Sequence, residues 1–156
     1  MRRSDREITD PAVIDDIIAR CDCCRLALAD GTHPYIVPLN FGFRRCGGHP
    51  VFYFHSAPQG RKLDLIQRNG CAGFELDTNS RLNPHETACG HSFRFQSVIG
   101  TGAVSMVEEP AEKVLALQLI MQHYTGRGTW QFDSAGVDRV AVFRLDVQEL
   151  SCKQHE

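Results

Sequence analysis

The chain has 156 residues and a mass of 17.5 kDa, with 17 Lys and Arg against 19 Asp and Glu for a formal net charge of −2. That is enough for one hydrophobic core and a single domain over residues 1–156, and it leaves no global field to draw the protein onto nucleic acid or anionic lipid. The opening "MRRSDREITDPAVIDD" has no apolar run behind its arginines and no window approaches the length of a membrane span, so a soluble, cytoplasmic protein with neither nucleic acid nor membrane as partner is expected.

Asp10 before Pro11 is a helix cap followed by a first-turn residue, and Val13, Ile14, Ile17 and Ile18 recur on one face, which predicts a short amphipathic helix over 11–20 lying on a sheet. "CRLALADGTHPYIVPLNFGF" then reads as two strands around the turn dipeptide Asp30-Gly31. In the second, Tyr35, Val37, Leu39, Phe41 and Phe43 share a core face, and Ile36, Pro38, Asn40 and Gly42 the other. Pro38 removes a ladder donor, so that second face is either an edge strand or a surface on which a planar ligand lies against backbone. "PVFYFHS" is an aromatic strand, residues 61–69 a helix ended by Gly70, and "CAGFELD" a further strand. Residues 78–91 are polar and turn-rich and read as a long loop with a functional or oligomeric role. "FRFQSVIGTGAVSMV" is the longest strand, with Gly100 and Gly102 marking a bend or bulge. Glu108, Glu109 and Pro110 start a third helix whose stripe Val114, Leu117, Met121 and Tyr124 is expected to face the core until Gly126 stops it. "RVAVFRLDV" closes the series as a strand with Ala141, Phe143, Leu145 and Val147 on one face. Short turns between strands, interrupted by helices, favour a mainly β (α+β) fold: an antiparallel split β-barrel with flanking short helices.

The seven cysteines are odd in number in a chain large enough to fold without staples, which fits free thiols in a reducing compartment. Cys21 and Cys24 form a C-x-x-C and Cys89 stands two residues before His91, but no second pair completes a zinc set, so no metal site is expected. The stretch "HSAPQGRK" is more informative. Ser56 offers a hydroxyl, Gly60 frees the backbone, and Arg61 and Lys62 place a guanidinium and an ammonium in the first turn of a helix whose unpaired N–H groups favour an anion. Either this is a phosphate-sized receptor, or Arg61 and Lys62 are solvated charges on a helix face. It matches neither the phosphate loop of nucleotide hydrolases nor the glycine-rich dinucleotide turn.

"PYIVPLNFGF", "YFHSAPQGRKLDLI" with its following "NG", "CAGFELD" and "SFRFQSVIGTGAV", in this order and before the acidic "EEPAEK", resemble the pyridoxamine 5'-phosphate oxidase-like flavoproteins, in particular their nitroimidazole-resistance branch. The resemblance covers roughly residues 5–150. It implies a split barrel, FMN as cofactor, and a homodimer with its flavin sites between subunits. Carried over to this chain, it puts Ser56, Arg61 and Lys62 on the FMN phosphate, and Val37, Pro38, Leu39 and Asn40 along the isoalloxazine ring. It brings Gln96, Ser97 and Val98 to the ribityl chain or phosphate. His55 is the candidate catalytic residue, touching flavin or substrate, the alternative being a strand histidine satisfied by a neighbouring carbonyl. The C-terminal "DVQELSCKQHE" offers only Lys153 and His155 where true pyridoxamine-phosphate oxidases have further basic and aromatic residues, which argues against vitamin B6 oxidation.

Because a flavin carries its own redox machinery, no paired carboxylates or nucleophile and base are required. The expected function is an FMN-dependent oxidoreductase passing electrons from a reduced nicotinamide to a small nitroaromatic or quinone-like acceptor. The alternatives are a flavin- or haem-binding protein without turnover and a barrel with a vestigial pocket. The aromatics of "RGTWQFD", Trp130 and Phe132, are candidates for covering the flavin of a partner chain, or for closing the chain's own core.

Overall fold

The computed structural model describes residues 3–156. Its strands are β1 (Glu7–Ile8), β2 (Cys24–Asp30), β3 (His33–Leu39), β4 (Phe41–Cys46), β5 (His49–Ser56), β6 (Cys71–Asn83), β7 (Ser92–Met106) and β8 (Ala141–His155), and its helices are α1 (Pro11–Ala19), α2 (Arg61–Asn69), α3 (Pro110–Thr125) and α4 (Ser134–Asp138). The strands form one eight-stranded antiparallel sheet in the order β3-β2-β6-β7-β8-β5-β4, with β1 added to β8. The mainly β split barrel expected from the sequence is the fold. The two outermost strands of that order, β3 and β4, are consecutive in the chain and meet at Asn40. The sheet therefore curls until its edges are joined by a covalent corner rather than by a ladder.

This corner corrects the reading of residues 33–43 as a single strand. Up to Leu39 the run pairs with β2, and from Phe41 it pairs with β5. Pro38 sits in an edge strand opposite Arg25, where its missing N–H costs nothing. Gly42 is not part of a ligand-facing surface. It is buried against α3, where an added Cβ would lie 2.6 Å from the Ile120 backbone nitrogen. The absent side chain is what lets the helix cross the strand so closely.

The main core fills the barrel with Ile14, Ile17 and Ile18 of α1, Leu63, Leu65 and Ile66 of α2, and the inward residues of the strands. Phe52 is its centre, with the rings of Phe41, Phe43, Phe54 and Phe74 at 5.1–6.5 Å between centroids. Asp10 caps α1 as the sequence suggests, accepting from the Ala12 N–H at 2.9 Å. A second, smaller cluster lies between α3 and the outer side of β5 and β8, formed by Val51, Tyr53, Val107, Ala116 and Val142. The buried face of α3 is Ala116 and Ile120, whereas Val114 and Tyr124 are exposed, so the expected stripe is displaced by about a quarter turn around the helix. α3 is apolar around much of its circumference, and close approach over Gly42 selects the side with the small residue.

Three further boundaries differ. The expected loop over 78–91 is mostly strand: β6 and β7 continue past an irregularity between Thr78 and Arg81 to pair Leu82 with Phe93 and Asn83 with Ser92, leaving residues 84–91 to join them. β8 runs to His155, well beyond Val147, because β7 and β1 supply partners on both sides. α4 and β1 were not legible in the sequence. The β7 glycines do as expected: the register against β8 shifts between Thr101 and Gly102, and a Cβ on Gly100 would meet Glu149 O at 2.2 Å. No helix among the described residues is long and apolar enough to cross a membrane.

Candidate functional site

β5 ends at Ser56, and α2 begins at Arg61 after a turn closed by Gly60. Gly60 stands at the N-cap with φ of 138°, a conformation that glycine alone adopts without strain, and it provides no side-chain cap. The Leu63 N–H donates to the Gly60 carbonyl at 2.9 Å, and the N–H groups of Arg61 and Lys62 are left without the side-chain oxygen that usually caps a helix start. Lys62 is half-buried and has no ion pair among the described residues. Ser56 is half-buried and its Oγ donates to the Ala57 carbonyl at 2.9 Å. His55, the preceding residue, projects from the exposed side of β5. Partial removal from water and then the nearby Lys62 ammonium hold its pKa below the ordinary 6.5, so the imidazole is neutral at pH 7.

Arg61 is engaged in a way the sequence reading missed. Its Nε and Nη2 donate to Asp30 Oδ2 at 2.9 and 2.6 Å, and its guanidinium lies 4.6 Å over the Tyr35 ring. Asp30 reads in sequence as half of a turn dipeptide and Tyr35 as a core residue, and neither signal reports a partner thirty residues away. An exposed ion pair of this kind contributes only about 0.2–1 kcal/mol, so its main consequence is geometric: it brings the β2–β3 hairpin against the start of α2.

The other expected cofactor residues divide into two groups. Val37 and Leu39 are half-buried and pack inward on the core, while Pro38 and Asn40 are exposed at the edge and corner of the sheet. β3 is an edge strand, so the backbone groups that do not face β2 are available to a ligand. Gln96 and Val98 point the other way, into the molecule. Gln96 accepts from Arg20 Nη2 at 2.9 Å and donates to Gln154 Oε1 at 2.6 Å, and Val98 is wholly buried in the core. Only Ser97 of the three is turned outward. Ile36, Ala27, Gly73 and Thr101 stand side by side across four strands, and Ser97 lies four residues along β7 from that row. At about 3.3 Å per residue this is roughly 13 Å along the strand, besides three strand spacings to the side. Ser56 pairs with Ala141 and Ser97 with Lys153, near opposite ends of β8, so one chain does not bring Ser97 to the Ser56, Arg61 and Lys62 cluster.

The outer face of β3, β2, β6 and β7 carries an apolar patch bordered by the Arg25 ion pairs with Glu75 and Asp77. Ile36 and Ile99 are 60% and 51% exposed, and a depression of about 480 Å³ between them is lined by Ala27, Gly73, Phe74 and Gly100. A neighbouring depression of about 560 Å³ reaches Cys71 and His33. Trp130 packs on its own chain: its N–H donates to Gln118 Oε1 at 2.9 Å, its indole donates to the Arg127 carbonyl, and the Arg127 guanidinium stacks over its ring at 4.3 Å. All seven cysteines are free, and no group of three or more metal-ligating side chains forms among the described residues.

The sequence matches the family model described as pyridoxamine 5'-phosphate oxidase over residues 10–154. The chain belongs to the pyridoxamine 5'-phosphate oxidase family. Among solved structures it is similar to a candidate 5-nitroimidazole antibiotic resistance protein from Bacteroides thetaiotaomicron, at 31% identity and a TM-score of 0.81, with 95% of this chain and 86% of that chain covered. The fold also resembles flavocytochrome Anf3 from Azotobacter vinelandii, at 18% identity and a TM-score of 0.79 over 100% of this chain and 72% of that one. A FAD and haem binding protein from Mycobacterium smegmatis shares it at 17% identity and a TM-score of 0.81, over 97% and 74% of the two chains. No curated protein matches the sequence. Within the family, the departure at the C-terminus now has a structural setting: Lys153 and His155 lie in β8, beside Ser97 and Phe95 of β7.

Proposed function

We propose that the chain is an FMN-dependent oxidoreductase that reduces a small acceptor with electrons from a reduced nicotinamide. The observation that carries this reading is the uncapped start of α2 with Lys62 unpaired beside it, in a chain of this family. The residues fit a phosphate monoester: the backbone N–H groups of Arg61 and Lys62 and the Lys62 ammonium supply donors and positive charge, Arg61 keeps Nη1 without a hydrogen-bond partner, and Ser56 can turn its hydroxyl. The flavin, when bound, supplies the electron transfer itself. The chain's own part is to bind, orient and exclude water. Neutral His55 can donate from one ring nitrogen or accept at the other, and the free backbone edge of β3, from Val37 to Asn40, can meet the polar edge of a planar ring.

The protein acts as a homodimer in this reading. The exposed apolar face around Ile36 and Ile99 supports it, as does the separation of outward-facing Ser97 from the α2 cluster, which a second copy would bridge. The relative named for nitroimidazole resistance supports a nitroaromatic acceptor. Seven free thiols support a reducing, cytoplasmic setting.

The test begins with the visible spectrum of the gently purified protein and identification of what acid releases. Light scattering should give a mass near twice 17.5 kDa. Lys62→Ala should weaken FMN about ten- to a hundredfold, the scale of one charge-assisted contact, and leave riboflavin binding unchanged. Equal affinity of the wild type for FMN and riboflavin would remove the phosphate site. Flavin bound without NAD(P)H oxidation across a panel of acceptors would leave a carrier or sensor in place of an enzyme.

A further inference from the structure

We propose that Asp30 is a positioning residue for the anion receptor, holding Arg61 in the orientation that meets a phosphate; the inference rests on the reading of the start of α2 as the FMN phosphate site. Arg61 alone would not keep that orientation. It is the first residue of α2, and a cation there is repelled by the positive end of the helix dipole. On a long side chain that is 59% exposed, the guanidinium would swing away from the place where it is needed.

Asp30 reverses this. Its side chain is only 25% exposed and is held at the hairpin turn, where Gly31 takes φ of 61°. The hairpin is in turn tied to the end of α2 by Asn69 Nδ2, which donates to the Ala29 carbonyl at 2.6 Å. The carboxylate therefore faces α2 from a fixed platform, and Arg68 from the last turn of the helix approaches it at 3.8 Å. A single oxygen, Oδ2, takes both Nε and Nη2 of Arg61, and the Tyr35 ring supports the guanidinium face. A guanidinium has five N–H donors, and this arrangement uses the Nε edge while leaving Nη1 and one Nη2 hydrogen. An anion can meet those without displacing Asp30.

The contrary role, a carboxylate that competes with phosphate for Arg61, makes the opposite prediction. The experiment titrates flavin-free protein with FMN and with riboflavin, following flavin fluorescence, for wild type, Asp30→Ala, Asp30→Ser, Asp30→Asn, Arg61→Ala and the double variant Asp30→Ala with Arg61→Ala. Serine suits the turn and cannot reach Arg61, so it serves if the alanine variant does not fold. Truncating Asp30 should weaken FMN roughly tenfold, the lower end of what one charge-assisted contact is worth. Asparagine keeps an acceptor oxygen and should restore most of the affinity. Riboflavin should bind all variants alike, and the Asp30 truncation should have no further effect once Arg61 is gone. Tighter FMN binding by the alanine, serine and asparagine variants would overturn the proposal in favour of competition. Unchanged FMN binding on truncation, with Arg61→Ala still weakened, would overturn it and leave the phosphate reading standing. No effect of Arg61→Ala would overturn the role of Arg61 and of Asp30 together.

Discussion

Gly42→Ala tests whether the second face of the residue 33–43 run belongs to a ligand or to a helix. A methyl group there would lie 2.6 Å from the Ile120 nitrogen and 2.7 Å from both the carbonyl carbon and Cβ of Leu119. Carbon atoms in ordinary contact are about 3.5–4.0 Å apart, so α3 would have to withdraw by roughly 1 Å. That withdrawal strains the Phe41 N–H to Tyr124 hydroxyl bond at 3.2 Å and the His123 contact with the Cys21 carbonyl at 2.8 Å, and it loosens Ala116 and Ile120 over the sheet. Because the opposing atoms are mostly helix backbone and cannot rotate aside, the cost belongs at the upper end of overpacking, about 3 kcal/mol. For a chain of this size that is roughly 6–12 °C in Tm. Urea and thermal denaturation of the flavin-free variant measure it, and FMN titration of the folded variant should give near wild-type affinity. Wild-type stability with lost FMN binding would refute the argument and return Gly42 to the cofactor surface.

The remaining predictions concern side chains whose ionisation the fold has shifted. His55 should titrate below 6.5 by NMR in the flavin-free protein, and Lys62→Met should move its midpoint upward, since the ammonium is one of the two causes; an unmoved midpoint would separate the two residues. Folding lowers this pKa, so the stability His55 contributes is complete above about pH 6.5 and is lost as the pH falls through its folded value, and His55→Asn should flatten that part of the stability profile. Burial pushes the Cys21 thiol up to about 12 and Cys152 to about 11, and raises Cys24 as well. A thiol reagent at pH 8 should therefore label exposed Cys71 and Cys89 quickly and reach the buried three only on unfolding. Fast labelling of any of those three in the folded protein would show the core to be more open than described.

Much of the architecture is decided by neighbours in the chain and was legible there. Asp10-Pro11 starts α1, Gly31 turns the first hairpin one residue later than the Asp30-Gly31 pair suggests, Gly60 and Gly70 bound α2, and the glycines of "SVIGTG" bend β7, because each acts through its own dihedrals or the next few amides. The clustering of Ser56, Arg61 and Lys62 was visible for the same reason: they lie within six residues of one another and meet at one helix start. What lies across from a residue is not a local property. Alternation in "YIVPLNFGF" distinguishes two faces but gives no sign that the chain turns a corner at Asn40, so that Pro38 ends at a free edge and Gly42 beneath a helix. Spacing in α3 offers several apolar stripes, and only the sheet it packs on selects Ala116 and Ile120. Gln96 and Val98 share a strand with Ser97, yet α1 and the core claim the first two and leave the third outside. The pairing of Arg61 with Asp30 belongs to this second class. Two unremarkable charges become one device only when the barrel closes and sets the hairpin against the helix.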